Sequence, residues 1–323
     1  MVDTSLPNTN ASALYISSTA PNATNTSSEI LVLVHGWNME DWEKPRYAET
    51  MYKRLYWAGY NGRLAAFSWP TLTTSWIPPS AGHYNKSEWI AWKSGKALKD
   101  YFDYLRTLPR LAGYTINVAA HSMGNVVTGE ALLEGANVDN YVMMQAAISA
   151  SCYDGSTSLY QTIFVDRDAQ PRQQTPLDAS QMGYRLYLSG VGVNYNFVNF
   201  YNTNDFALVN GTWYGIPANW RQNNLNWKPD WYYLFDGTNS WYTKATNRLI
   251  TDSFESMAFV SRSRSEAVGA EPRTAGPVDT ILSVDLADQF GFGYTRPDHS
   301  GQFTRNIQVV LPFYNTLLDK IEP

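Results

Sequence analysis

The chain has 323 residues, 44% of them hydrophobic and only 16% charged, enough apolar material for one large α/β domain or two small ones. Its 24 basic and 29 acidic side chains leave a formal charge of −5, which argues against a nucleic-acid partner. Cys152 is the only cysteine, so neither an intrachain disulfide nor a cysteine-based zinc site can form, and no apolar run approaches membrane-spanning length.

Residues 1–28 are rich in Ser, Thr, Asn and Pro and hold one apolar patch, Ala13-Leu14-Tyr15-Ile16, with no signal-peptide core. They read as a linker or N-terminal extension with an edge strand. Such tracts join modules of secreted bacterial proteins, so the expectation is an extracellular or cell-surface setting and a module of a larger chain. A buried β-branched strand follows over 29–34 and runs into His35-Gly36-Trp37-Asn38. Tyr47, Met51, Tyr52 and Leu55 keep helical spacing, and Gly59 is the stop. A second strand over 64–69 is ended by Pro70. Ser87 reads as the N-cap of a long helix striped by Ile90, Ala97, Leu98, Tyr101, Leu105 and Leu108, with Pro109 beyond.

The apolar run Ile116-Asn117-Val118-Ala119 then leads into Ala120-His121-Ser122-Met123-Gly124, and Val126, Val127, Ala131 and Leu132 form a helix face closed by Gly135. A strand, a small-x-Ser-x-Gly turn and a helix make the layout of a nucleophile elbow, which holds a serine hydroxyl clear of a sheet. Small residues flank the serine because the chain folds back closely there. The next strand covers 141–147. Residues 151–190 carry turn formers and mixed charge, as a cap-like insertion does. Residues 195–201 alternate polar and apolar side chains as a strand and end at Asn202-Thr203-Asn204-Asp205.

A second insertion, 207–280, holds Trp213, Trp220, Trp227, Trp231 and Trp241. With few aliphatics nearby, most of these rings should form a small core of their own. Trp213 and Trp220, nearest to Asp205, are the candidates for substrate binding. The last strand of the sheet is not placed within 207–295. His299 lies in Arg296-Pro297-Asp298-His299-Ser300-Gly301, before an apolar helical stripe over 307–321 in which Pro312 marks a kink or the true start. The alternation predicts a doubly wound, mostly parallel sheet in one domain over 29–323.

The His-Gly turn after the first buried strand and the Ala-His-Ser-Met-Gly elbow together resemble the α/β-hydrolase superfamily, in its lipase and esterase branch. A lipase subfamily shares that spelling, with Ala where Gly is usual. The resemblance is fullest over 29–150 and thinnest over 206–295. It implies Ser122 as nucleophile and the backbone N–H groups of Trp37 and Met123 as an oxyanion hole. It also implies the chain order Ser, acid, His. His299 is the only one of four histidines after Ser122, which makes it the base: His35 belongs to the oxyanion loop, His83 to a Pro/Gly-rich loop and His121 to the elbow. Asp205 follows a strand and is the acid; Asp166 is its main rival.

The expected activity is therefore carboxylic ester hydrolysis through an acyl-enzyme, on a small-molecule, lipid or polymer ester, polyesters included. Neither cofactor nor catalytic metal is called for, although Asp285 and Asp288 are carboxylates that a structural calcium would use. Two alternatives share the sequence features: amide or thioester hydrolysis on the same residues, and a non-catalytic hydrolase-fold module of a larger surface protein.

Overall fold

A computed structural model describes residues 12–14, 27–73, 81–147, 196–205, 207–208, 212–213, 216–217, 268–270, 281–293 and 296–321. Its centre is a seven-stranded sheet. The strands are β1 (Ser12–Leu14), β2 (Glu29–Val34), β3 (Arg63–Ser68), β4 (Thr115–His121), β5 (Asn140–Met144), β6 (Asn196–Tyr201) and β9 (Ile281–Asp285), in the spatial order β1-β3-β2-β4-β5-β6-β9. β1 is the antiparallel edge, against β3, and the others pair in parallel. The chain thus reverses direction of travel across the sheet at β2 and β4, and a parallel sheet opens its site at such a switch, beyond the carboxyl ends of the strands.

Alternate side chains explain why both faces are covered. Ile30, Val32, Val34, Val118, Ala120, Tyr141 and Met143 pack on one face beneath α2 (Ala81–Thr107) and α3 (Gly124–Leu133). Leu31, Leu33, Ala119, Val142, Met144, Val198 and Phe200 face α1 (Glu43–Trp57) and the C-terminal helix α6 (Ile307–Ile321). With period-2 burial to both sides, the strands read as continuous apolar runs. Two short helices precede α6: α4 (Leu286–Phe290) and α5 (Gly301–Thr304). Among the described residues no helix is long and apolar enough to cross a membrane.

Several expectations change. The N-terminal edge strand forms, but over Ser12–Leu14. The sheet strand that the sequence left unplaced is β9, Ile281–Asp285. The long helix starts at Ala81, so His83 lies in its first turn and Ser87 is inside it. Ser87 caps nothing there: it is fully buried, and its Oγ accepts hydrogen bonds from Trp37 Nε1 (3.0 Å) and the Leu72 N–H (2.9 Å). Pro312 sits inside α6, whose start is set by Asn306, with Oδ1 accepting from the Gln308 N–H at 2.9 Å. Asp285 uses its side chain to cap α4 through the N–H groups of Ala287 and Asp288. The proposed cap at 151–190 lies outside the described residues. So does most of 207–280, apart from residues 207–208, the β7–β8 pair (Thr212–Trp213 with Ile216–Pro217) and a short turn at Val268–Ala270.

Arg54 joins the two sides of the C-terminal region. It is buried on α1, and its guanidinium donates to the carbonyls of Gln302 and Arg305, the latter at 2.7 Å. Arg54→Met keeps the packed stem but strips both charge-assisted bonds. Chemical denaturation should show a loss on the order of 2–4 kcal/mol. A loss below about 0.5 kcal/mol would mean that the two carbonyls are satisfied without it.

Candidate active site

β4 ends at His121, and Ser122 takes the left-handed conformation with φ 51° before α3 begins at Gly124. A non-glycine residue in that region costs about 1–2 kcal/mol, so the turn must be held. Asn125 holds it from within α3. Its Nδ2 donates to the carbonyls of Ala120 (3.0 Å) and Ser122 (2.9 Å), while its Oδ1 accepts from Tyr141 Oη (2.8 Å). The Ser122 N–H donates to Met144 on the neighbouring strand (3.0 Å).

The two flanks of the turn differ in how much space they have. A Cβ at Gly124 would lie 2.6 Å from the carbonyl oxygens of both Val34 and His35, which are backbone atoms and cannot swing away. Ala120 keeps its methyl group, which is buried in the core among the side chains under α2 and α3. That is why alanine fits the first flank and glycine is needed at the second. Gly36 is less confined but still close to the serine, because a Cβ there would lie 3.0 Å from Ser122 Cβ. The β2 turn therefore lies directly against the serine, and Trp37 follows it with its indole drawn away to Ser87.

The structure brings Ser122, His299 and Asp205 together. His299 Nε2 lies 2.9 Å from Ser122 Oγ, and its Nδ1 lies 2.9 Å from both carboxylate oxygens of Asp205. With Asp205 accepting, Nδ1 carries the proton and Nε2 is left as the acceptor for the serine hydroxyl. Asp205 is fully buried, while Ser122 retains 8% exposure. Asp205 sits after β6 and His299 after β9, in a short 3-10 turn, Arg296–Ser300. Asp166 lies outside the described residues, as does Trp220. Trp213 is in β7, paired with Ile216. Met123 follows Ser122 directly as the first flank of α3 and is buried.

The loop of His299 is bolted down by groups that the sequence reading passed over. Asp298 accepts from Arg305 Nε at 2.8 Å and from the Gly293 N–H at 3.2 Å, and the Arg305 guanidinium also reaches the carbonyls of Phe290 and Gly291. The adjacency of Asp298 to His299, with an arginine seven residues on, was the available signal. His121 Nε2 donates to the His299 carbonyl at 2.7 Å. His35 Nδ1 donates to the Gly36 carbonyl at 2.8 Å, and its Nε2 accepts from the Trp69 N–H at 3.2 Å.

These last two histidines are kept neutral. Burial lowers the pKa of each from 6.5 to about 3, with Lys44 adding to the effect at His35 and His299 at His121. Their folded values are depressed, so the unfolded chain binds the extra protons. The stability present above pH about 6.5 is lost progressively as pH falls toward about 3, by roughly 1.4 kcal/mol per pH unit per histidine. His121→Gln should flatten the dependence of unfolding free energy on pH between 6 and 4 by about one proton. Identical slopes for variant and wild type would contradict the assignment. In a separate test, Gly124→Ala should lower stability by more than about 1–3 kcal/mol, because backbone blocks the methyl group. A neutral result would mean that β2 can retreat.

The family model "alpha/beta hydrolase of unknown function" matches residues 18–152, which contain β2, β4 and the serine turn. No curated protein matches the chain. Among solved structures, an esterase of Pyrococcus furiosus aligns at 15% identity over 60% of this chain and 72% of its own, with a TM-score of 0.32. A dienelactone hydrolase of Anabaena variabilis aligns at 14% identity over 42% of this chain and 64% of its own, with a TM-score of 0.26. An acylaminoacyl peptidase of Pyrococcus horikoshii aligns at 10% identity over 96% of this chain but 41% of its own, with a TM-score of 0.38. The chain thus spans less than two thirds of the last two. The chain has the α/β-hydrolase fold, by its strand order and its serine turn, and residues 18–152 match a family of that fold.

Proposed function

We propose that the protein is a serine hydrolase that cleaves carboxylic esters through an acyl-enzyme. The observation that carries this reading is the continuous hydrogen-bonded chain from Ser122 Oγ through His299 to the buried Asp205. In the first half-reaction Ser122 Oγ bonds to the ester carbonyl carbon while its proton passes to His299 Nε2. The carbonyl π electrons move to oxygen, where the N–H groups of Trp37 and Met123 receive the negative charge. Collapse of this intermediate expels the alkoxide, which takes the proton from His299 and leaves as the alcohol. Water, deprotonated by the same nitrogen, then attacks the acyl carbon; the acyl–Oγ bond breaks, His299 returns the proton to Ser122 Oγ, and the acid leaves. Asp205 fixes the imidazole tautomer and offsets the charge on the imidazolium.

An imidazole aimed by Asp205 at a serine hydroxyl needs neither metal nor cofactor to perform these steps. The ester class is the reading of the elbow; amide and thioester substrates would use the same atoms. For specificity we look to Trp213 and Trp220, close in sequence to Asp205, as walls for an extended apolar or aromatic acyl or alcohol group, polyesters among them. For the setting, the low charge content and the Ser/Thr/Asn-rich start of the chain favour an extracellular or cell-surface module.

On p-nitrophenyl esters, Ser122→Ala and His299→Ala should lower kcat on the order of 10⁴–10⁶-fold with folding intact, and Asp205→Asn by no more than that. Retention of most activity in His299→Ala would refute the mechanism. Stoichiometric fluorophosphonate labelling at Ser122 separates an enzyme from a non-catalytic module, for which no labelling is expected. Trp213→Ala or Trp220→Ala should change KM or substrate preference at near-normal stability. If both act only on stability, the pocket lies elsewhere.

A further inference from the structure

Gln145 is the residue in the site that chemistry has not yet used. β5 stops at Met144 because Gln145 turns into the left-handed region with φ 44°, a conformation that glycine adopts far more readily. Its side chain is fully buried. The amide nitrogen is shared between two acceptors, Asp205 Oδ2 and the Asp298 carbonyl (2.9 Å). Both partners are acceptors only, so the amide has one orientation, with NH2 facing them. Its Oε1 is then left buried with no hydrogen-bond partner among the described residues. Backbone strain and an unsatisfied buried oxygen both cost stability. A glycine would relieve the first and a methionine the second. Neither supplies the NH2 group.

That group joins two loops far apart in sequence. Asp205 Oδ1 is fixed by the Ala207 N–H at 2.8 Å and Oδ2 by Gln145, so the plane of the carboxylate is set from both sides. The same nitrogen grips the carbonyl of Asp298, the residue before His299. The Gln145 backbone is anchored in turn, by its N–H to the Phe200 carbonyl at 2.9 Å. Gly269 closes the back of the turn: a Cβ there would lie 2.0 Å from the Ala146 nitrogen, and the Gly269 N–H donates to the Ala146 carbonyl.

Resting on the reading of Ser122, His299 and Asp205 above, we propose that Gln145 is a positioning residue, whose NH2 group holds the acid and the loop of the base in register and draws part of the carboxylate's charge away from the imidazolium. Without it, the imidazole loses alignment with Ser122 Oγ, and Asp205 directs its full charge to His299.

The test uses Gln145→Met, which keeps the volume, and Gln145→Gly, which keeps the turn. Each is compared with wild type and Ser122→Ala on p-nitrophenyl butyrate, with folded sites counted by fluorophosphonate titration. The expected result is a fall in kcat per site on the order of 10–100-fold, with KM changed by less than about 3-fold. The acid limb of kcat/KM should move to higher pH. A merely structural role would lower the melting temperature and leave that limb and kcat per site in place, which would overturn the proposal. If neither variant folds, Gln145 is a folding determinant and the proposal also fails. If Ser122→Ala stays active, the underlying reading fails instead; inactive Ser122→Ala beside an unaltered Gln145→Met leaves the triad standing and removes Gln145 alone.

Discussion

The strained turn at Ser122 is the constraint on which the arrangement depends. A parallel sheet delivers β4 to the switch point with its side chains committed to the two faces, and only a sharp left-handed residue can lift a hydroxyl out of that plane. The strain is offset locally by Asn125, which binds carbonyls on both sides of the turn, and by Tyr141, which binds Asn125. Close packing does the rest: Gly124 lets β2 and α3 approach to a distance that a single methyl group would forbid, and Gly36 keeps the β2 turn tight against Ser122. The same approach seats the Trp37 turn beside the serine.

Around this turn the fold places polar groups where a dry core would reject them unless paired. His35 and His121 stay neutral in the packed wall and act as fixed donors, one to its own loop and one to the backbone of His299. Asp298 and Arg305 tie the other end of that loop to the segment that follows β9. His299 is therefore held from three directions: by Asp205 at its ring, by His121 at its carbonyl and by the Asp298 clamp at the preceding residue. Preorganisation of this kind lowers the reorganisation that proton transfer demands.

Much of the fold was legible in the sequence, because buried parallel strands and amphipathic helices leave distinct periodicities. β2, β3, β4 and the helix α3 fell where apolar runs, Pro70 and Gly135 put them. His299 could be anticipated because it is the one histidine after Ser122, whereas Asp205 had Asp166 as a rival in the sequence, and it is the geometry that puts the Asp205 carboxylate on the His299 ring. Other features were not. Ile281–Asp285 is short and alternates weakly, so it reads as part of an insertion until β6 is available as its partner. Ser87 looks like a cap, since a hydroxyl before an apolar stripe is one, and its real partners are 50 and 15 residues away. Gln145 continues an apolar strand in sequence, and only the backbone reveals that the strand has already turned. Long-range tethers of this sort carry no local signature.

The central claim is that Ser122 Oγ becomes covalently acylated during turnover. Acid quenching of the protein in the steady state with a p-nitrophenyl ester, followed by peptide mass spectrometry, tests it directly. The mechanism predicts the mass of the acyl group on the peptide that contains Ser122, with none in the Ser122→Ala protein. Steady-state hydrolysis with the acyl group on another residue would contradict it.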